Sequence, residues 1–456
     1  MEGAGRFSFL LLGIPIGCVA FFIMALRPWW VLYGLTIIVV LLNGLSDLLR
    51  LGVYAYDLQS LIDLSILALL GVTLVACRGK PRITILDTGI LLYLLSLAFS
   101  LATVQQDWQV AMVAVRRYTA GIVLFYACAN MDAPELSKRW LVCLLLLLVW
   151  LQIPVGVAQR LTTVGISLAG TSEGFDVVKG TFGLNGGAQL GWLMMMGSCI
   201  ALPLAARKLL PGWLAVLQWT LSFALVVLGS VLFSMIFMLM IPALLCADDR
   251  IRSKLTRTAI LTFIGLVAAG LLTVQSFPDI ILGTNAHTEV GGGLARLQLY
   301  AQDSLYQDTD PIGRRASLLL VDQILVSSDP SQVIFGHGVG AFYGSKLLDQ
   351  TGSLARTYPY PPYPYIWSYD YQRMLMECGF FGVGGLIAML AFATVNTHRA
   401  RKALSDPFWQ GVASGASVMS VIALAAIVLT SYTILSPAPS LIYWITMGLT
   451  RSVSDT

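Results

Sequence analysis

The chain has 456 residues, 57% of them hydrophobic and 11% charged, with a net charge of +4 and a mean hydropathy of +0.79. Soluble domains carry about 25% charged residues, so a water-soluble globular fold is excluded and a polytopic membrane protein is expected. The seven cysteines (Cys18, Cys77, Cys128, Cys143, Cys199, Cys246, Cys378) all lie in or beside apolar runs, and there are only three histidines. That pattern offers neither a disulfide framework nor metal-ligand spacing.

Apolar runs of about 17–22 residues qualify as spanning helices. They fall near 8–25, 29–46, 57–77, 84–104, 109–130, 140–158, 187–205, 212–229, 230–246, 258–276, 373–395, 408–430 and 432–450. The expected fold is therefore an all-α, polytopic transmembrane bundle of about 12–14 spans. Phe7–Ala25 reads as the first span, because it lacks a strong basic leader and a clear small-residue cleavage site. Short basic connections alternate with the spans: Arg78/Lys80/Arg82, Lys138/Arg139, Arg207/Lys208, Arg250/Arg252/Lys254/Arg257 and Arg399/Arg401/Lys402. The positive-inside rule makes these cytoplasmic. Residues 159–186 and 276–370 then lie outside, in the periplasm of a Gram-negative cell. Three regions follow: an N-terminal bundle, 1–275, with the outer loop 159–186; a large periplasmic loop, 276–370; and C-terminal helices, 371–456.

In chain order, the first residues that stand out are Arg116 and Arg117, inside the apolar run Val110–Cys128. Charge at that depth usually faces a protein interior or a water-filled cavity. The alternative is that the pair snorkels to the outer interface beside Trp108. The outer loop holds Arg160, then Lys179-Gly180-Thr181-Phe182-Gly183 and Asn185-Gly186-Gly187. Glycines with exposed N–H groups before a helix can hold an anion, and Lys179 can add charge, although Gly-rich turns before helices are common.

The 276–370 insert is the one long polar stretch, about 95 residues, and loops of that size usually carry function. Helical character is expected over Leu294–Leu305 and Arg315–Leu325, with turn signals at Asp308–Pro311 and Ser327–Pro330. Arg314 and Arg315 start the second helix, and the planar arginine fork suits phosphate oxygens. The bland reading is a solvated surface pair. His337 sits in the turn Phe335–Gly340. The Tyr/Pro run Tyr358–Tyr365 is expected to be extended; its aromatics suit either sugar stacking or a membrane-interface belt. Asp370, Arg373 and Glu377 then share one helix face at i, i+3, i+7. Arg373 is the natural partner of Glu377, and Asp370 is the best-placed carboxylate for taking a proton from a hydroxyl.

The order of these parts resembles the O-antigen ligase / O-antigen polymerase family of bacterial membrane proteins. The likeness rests on Gly180-Thr181-Phe182-Gly183 before a span and on an Arg315-led helix followed by Phe335-Gly336-His337-Gly338. A span then opens with Leu375-Met376-Glu377-Cys378-Gly379-Phe380-Phe381-Gly382. The resemblance implies a metal-independent, C-type glycosyltransferase with no cofactor. Its donor would be a polyprenyl-diphosphate-linked oligosaccharide, taken from the bilayer at the periplasmic face of the inner membrane. Basic residues would neutralise the diphosphate leaving group. Catalysis would fall to Arg315 and to a base, for which Asp370 is the candidate replacing the family's histidine. Arg314, Arg116, Arg117, Lys179, Arg160, Tyr369, Arg373, Glu377 and His337 would bind substrate. Partners would be a chain-length regulator or export protein, with no nucleic acid. Ligases of the family carry a His-Asn pair about nine residues before the Glu, where this chain has Ser368 and Tyr369. That departure favours a polymerase of repeat units over a ligase. A transporter or flippase, and a non-catalytic assembly or sensor protein, are the competing classes.

Overall fold

A computed structural model describes residues 27–48, 66, 69–71, 83–103, 108–164, 178, 180–182, 187–228, 232–246, 251, 314–342, 344–345, 350–357, 370–429 and 437–454. The expected spans at 8–25, 57–77 and 258–276 lie wholly or mostly outside them, as do Leu294–Leu305 and the Tyr/Pro run. The described elements are α1 (Pro28–Leu48), α2 (Ile85–Thr103), α3 (Trp108–Asn130), α4 (Glu135–Val164), α5 (Gly187–Ala206), α6 (Gly212–Leu228) and α7 (Leu232–Leu245). After them come α8 (Arg314–Ser327), α9 (Pro330–Phe335), β1 (Gly344–Ser345), β2 (Gln350–Thr351), α10 (Ser353–Thr357), α11 (Asp370–Ala403), α12 (Pro407–Leu429) and α13 (Pro437–Ser454). The described residues are thus helical, apart from turns and one antiparallel pair of two-residue strands. Among the described residues, six helices are long and apolar enough to cross a membrane: α2, α3, α4, α5, α11 and α12.

The bundle is built on small-residue contacts, which let helix backbones approach where lipid offers no hydrophobic drive. Helices α2 and α11 pack antiparallel: Gly89 meets Met389 and Phe392, and Gly385 meets Tyr93. Helices α3 and α13 run parallel, with Gly121 against Ser440 and Trp444, and Gly448 against Cys128 and Phe125. Gly415 of α12 lies on Cys199 of α5. Helix α5 is buried almost all round, so it is the bundle's interior element.

Basic residues collect at one end. There Tyr33 donates to the Ser137 carbonyl (2.6 Å), Arg139 pairs with Asp406 and Glu135, and Trp409 donates to Glu135. Arg451 is 1% exposed and grips Asp87 with both guanidinium nitrogens, at 3.1 and 3.2 Å. Tyr126 donates to the same carboxylate at 2.6 Å, and the guanidinium lies 5.3 Å from the Phe125 ring centre. This clasp ties α2, α3 and α13 together. The opposite end carries the Gly180–Phe182 turn, the 336–342 turn and the start of α11; we call it the turn end.

Helix α11 has 34 residues, about 51 Å at 1.5 Å each and far more than the ~30 Å of a bilayer core. It is broken at Gly379 (φ 66°, ψ −169°). The part after the break is about 36 Å long and suffices to span. The part before it, Asp370–Cys378, is a short separate helix. Glu377, expected inside the span, therefore sits just before it.

Candidate functional site

The site forms where the described part of the insert docks onto that short helix. Helix α9 starts at Pro330, with the Asp329 amide donating to Gln332 Oε1 (3.1 Å), a favourable start for both side chains. It stops at Gly336, whose φ of +85° suits glycine. Gly336 and Gly379 are pressed backbone to backbone. A Cβ on Gly336 would lie 2.2 Å from the Glu377 carbonyl oxygen, and one on Gly379 would lie 2.2 Å from that of Ile334. The break in α11 leaves carbonyls without helical partners, and the insert supplies them. The His337 amide donates to the Met376 carbonyl (2.8 Å) and the Gly338 amide to that of Glu377 (3.0 Å). Ser100 of α2 also donates to the Glu377 carbonyl, at 2.6 Å. Two of the short motifs that carried the family resemblance, some forty residues apart, are thus the two halves of one joint.

Around the joint almost every residue from Asp370 to Gly379 is buried. Glu377 is 0% exposed, Asp370 1% and Arg373 6%. Tyr118 of α3 donates to Glu377 Oε2 (2.6 Å), and the Phe342 amide donates to Oε1 (3.3 Å). Arg373 contributes charge to Glu377, but the short bonds to the carboxylate come from Tyr118 and Phe342. The carboxylate expected to partner Arg373 is thus also held by α3 and the docked insert. Tyr93 of α2, also fully buried, lies within electrostatic reach of both Glu377 and Asp370.

His337 is half-buried rather than exposed. Its ring nitrogens face Ser328 Oγ (3.0 Å) and the Met376 carbonyl (3.3 Å). Burial lowers its pKa below the usual histidine value, and the Met376 carbonyl partly offsets this. The ring braces the joint.

Arg116 and Arg117 are both half-buried on α3. Arg117 precedes Tyr118, about 100° round the helix, and borders the buried face. Arg116 stands on the side away from Tyr118. Arg373 of α11 lies within electrostatic reach of Tyr118, the residue after Arg117.

Arg314 and Arg315 do begin a helix, α8, which seats Leu320, Val321 and Ile324 in a small apolar cluster with Leu375 and Met376 of α11. Their side chains, and that of Arg160 on α4, lie outside the described residues, as do Lys179 and Tyr369 altogether. The glycine-rich turn differs from expectation in one respect. The amides of Gly180 and Thr181 are not open to an anion, because Gln159 Oε1 (2.9 Å) and Gln152 Oε1 (2.8 Å) accept them. The Thr181 hydroxyl donates to the Val40 carbonyl at 2.6 Å. The turn is a fastener between α1 and α4.

Sequence reasoning passed over Tyr118, Ser100, Tyr93, Gln152 and Gln159. The two glutamines, seven apart in an apolar run and so on one face, were the legible signal. The others match no motif. Among the described residues no group of three or more His, Cys, Asp or Glu is placed to hold a metal. No family model matches the chain, and no curated protein matches it either. What the fold defines is a helical protein with membrane-crossing helices and a buried charged cluster beneath one end.

Proposed function

We propose that the chain is a polysaccharide polymerase of the bacterial inner membrane, a metal-independent glycosyltransferase working at the periplasmic face. It would transfer a polyprenyl-diphosphate-linked glycan onto a hydroxyl of another lipid-linked repeat unit. The observation that carries this reading is the buried Asp370–Arg373–Glu377 face at the turn end. Charge this deep, on a helix buried all round, is expensive and usually marks function. In the step proposed, the acceptor oxygen bonds to the anomeric carbon while its proton passes to Asp370. The bond from that carbon to the phosphate oxygen breaks, and the diphosphate leaves with the electron pair. Arg315, Arg314, Arg116, Arg117 and Arg373 offset the leaving charge. Asp370 is 1% exposed, so the acceptor reaches it only once the first turn of α11 is uncovered.

The test is polymer length in cells carrying Arg315→Ala or Asp370→Asn. Both should shorten or abolish the polymer, and unchanged chains in both would sink the proposal. Arg315→Lys should also lose yield, because bidentate geometry is gone; full yield there would remove the diphosphate clamp. A single glycan attached to a lipid or protein acceptor, in place of a ladder of lengths, would point to a ligase.

One observation favours a transporter: a helix broken beside buried charge is the pattern of transporter sites. Against it, the carbonyls freed at the break are already bonded by His337, Gly338 and Ser100, leaving them closed to a travelling ion.

A further inference from the structure

A second polar feature lies away from the charged cluster, between α5, α6 and α7. Buried hydroxyls in this chain usually bond the carbonyl one turn back. Ser198 does so to Met194 (2.8 Å), Ser420 to Ala416 (2.9 Å) and Thr446 to Ile442 (3.0 Å). Ser222 and Ser234, both 0% exposed, do not. Among the described residues nothing bonds their hydroxyls, nor Gln218 Nε2, Trp192 Nε1 or Gln189 Oε1.

Register and contacts string these five atoms along the seam between α5, α6 and α7. Trp219 of α6 donates to the Met238 carbonyl of α7 at 3.1 Å. Helices α6 and α7 follow each other closely in sequence and run antiparallel. Ser222, three residues on from Trp219, and Ser234, four back from Met238, therefore meet one turn nearer the turn end. Gln218 stands one turn below Ser222, its nitrogen 3.0 Å from where a Cβ on Gly197 would sit. The Trp192 ring lies 6.5 Å from that of Phe233, next to Ser234. Gln189 opens α5 at the turn end, and Gly197 is about 12 Å further along the axis.

We propose that these side chains line a buried water site, a short hydrogen-bonded file running inward from the turn end between α5, α6 and α7. Their chemistry selects the ligand. All five groups are neutral: Trp192 and Gln218 donate, Gln189 accepts, and the two hydroxyls do either. A cation would need carboxylates or carbonyls, and an anion would need positive charge. Water, which typically makes about three hydrogen bonds when buried, matches a mixed set of this kind. Axes of packed helices stand about 8–10 Å apart, which admits water but not a sugar ring. The site is independent of the reaction proposed above.

Radiolytic hydroxyl-radical footprinting of the full chain in lipid nanodiscs tests it, because bound water is itself the radical source. Trp192 is 1% exposed and Trp444, the control, 2%. Trp192 and the buried Met194–Met196 run should oxidise several-fold faster than Trp444. Ser222→Ala should reduce that labelling and lower the thermal midpoint, because a bound water loses a partner. Two results would overturn the proposal. One is Trp192 labelling no faster than Trp444. The other is a raised midpoint in Ser222→Ala, since removing an orphaned hydroxyl from a dry interior relieves a penalty.

Discussion

Tyr118→Phe is the most informative single change. It keeps ring and volume and subtracts one hydroxyl, the donor to Glu377 Oε2 at 2.6 Å. Both partners are buried, Glu377 completely, so no solvent can replace the lost bond. Hydrogen bonds to charged groups are worth about 1.5–3 kcal/mol, and that range is the expected loss. Glu377→Gln should cost more. Two donors from two elements, Tyr118 and the Phe342 amide, need two acceptor oxygens, and an amide has one. Its NH2 would face a donor, and Arg373 would lose its countercharge; breaking a buried charge pair costs about 3–5 kcal/mol. Once the carboxylate is gone, Tyr118→Phe should add little, giving a coupling near 1.5 kcal/mol or above in a double-mutant cycle. Thermal unfolding in detergent can be followed with a thiol-reactive dye. Cys128, Cys199 and Cys378 are buried, whereas Cys143 is exposed and reacts at the outset. Equal midpoints for Tyr118→Phe and the native chain, with strict additivity in the cycle, would refute the junction drawn here.

Gly336→Ala should destabilise by at least about 3 kcal/mol, adding strain at positive φ to backbone overlap. Limited proteolysis of the insert should reveal this as early cleavage. Gly379→Ala on top of it should cost little more, because both residues serve one contact. At the basic end, Asp87→Leu or Arg451→Met alone should cost about 3–5 kcal/mol by stranding a buried charge, whereas the double substitution should recover part of the loss; thermal midpoints of the three variants decide it. His337 gives a pH dependence. Its folded pKa is lowered, so the unfolded chain binds the proton more readily. The contribution is complete above about pH 6.5 and is lost as pH falls through the lowered value. Stability should therefore drop between pH 7.5 and 5.5 by more in the native chain than in His337→Gln, and parallel curves for the two would contradict the assignment.

Much of the bundle was legible because hydropathy reports directly on burial in lipid. Helices α2, α3, α5, α6 and α7 match their apolar runs to within a few residues. Helices α4 and α11 extend beyond theirs, because polar ends such as Glu135–Arg139 and Arg399–Lys402 remain helical outside the apolar window. The shared face of Asp370, Arg373 and Glu377 was legible from helical spacing alone. The docking of Gly336 on Gly379 was not, since a glycine in a turn and a glycine in a helix give no sign that each exists for the other. The Asp87–Arg451 pair was hidden for a related reason. Its members are 364 residues apart, and each looks like the solvated end of its own span. Tyr118 was masked by the arginines before it.

The two polar junctions differ in how their side chains are shared between elements. At the basic end the clasp is self-contained: one guanidinium meets one carboxylate on both prongs, with two aromatic rings against it. Its geometry gives a tie between helices and nothing more. At the turn end the carboxylate of Glu377 is divided between α3 and the insert, and its carbonyl between α2 and the insert. Glu377 therefore holds the insert in register with three helices, and a substrate could touch it only by undoing that register. In the proposed reaction its role is to position. What it positions is the remainder of the same helical face, Arg373 one turn away and Asp370 two, carried on a short helix that Gly379 separates from the span. Anchored at Glu377 and packed through Met374 and Cys378, this short arm is held by those ties everywhere but in its first turn, which carries Asp370. In the proposed reaction the acceptor reaches Asp370 through movement of that turn.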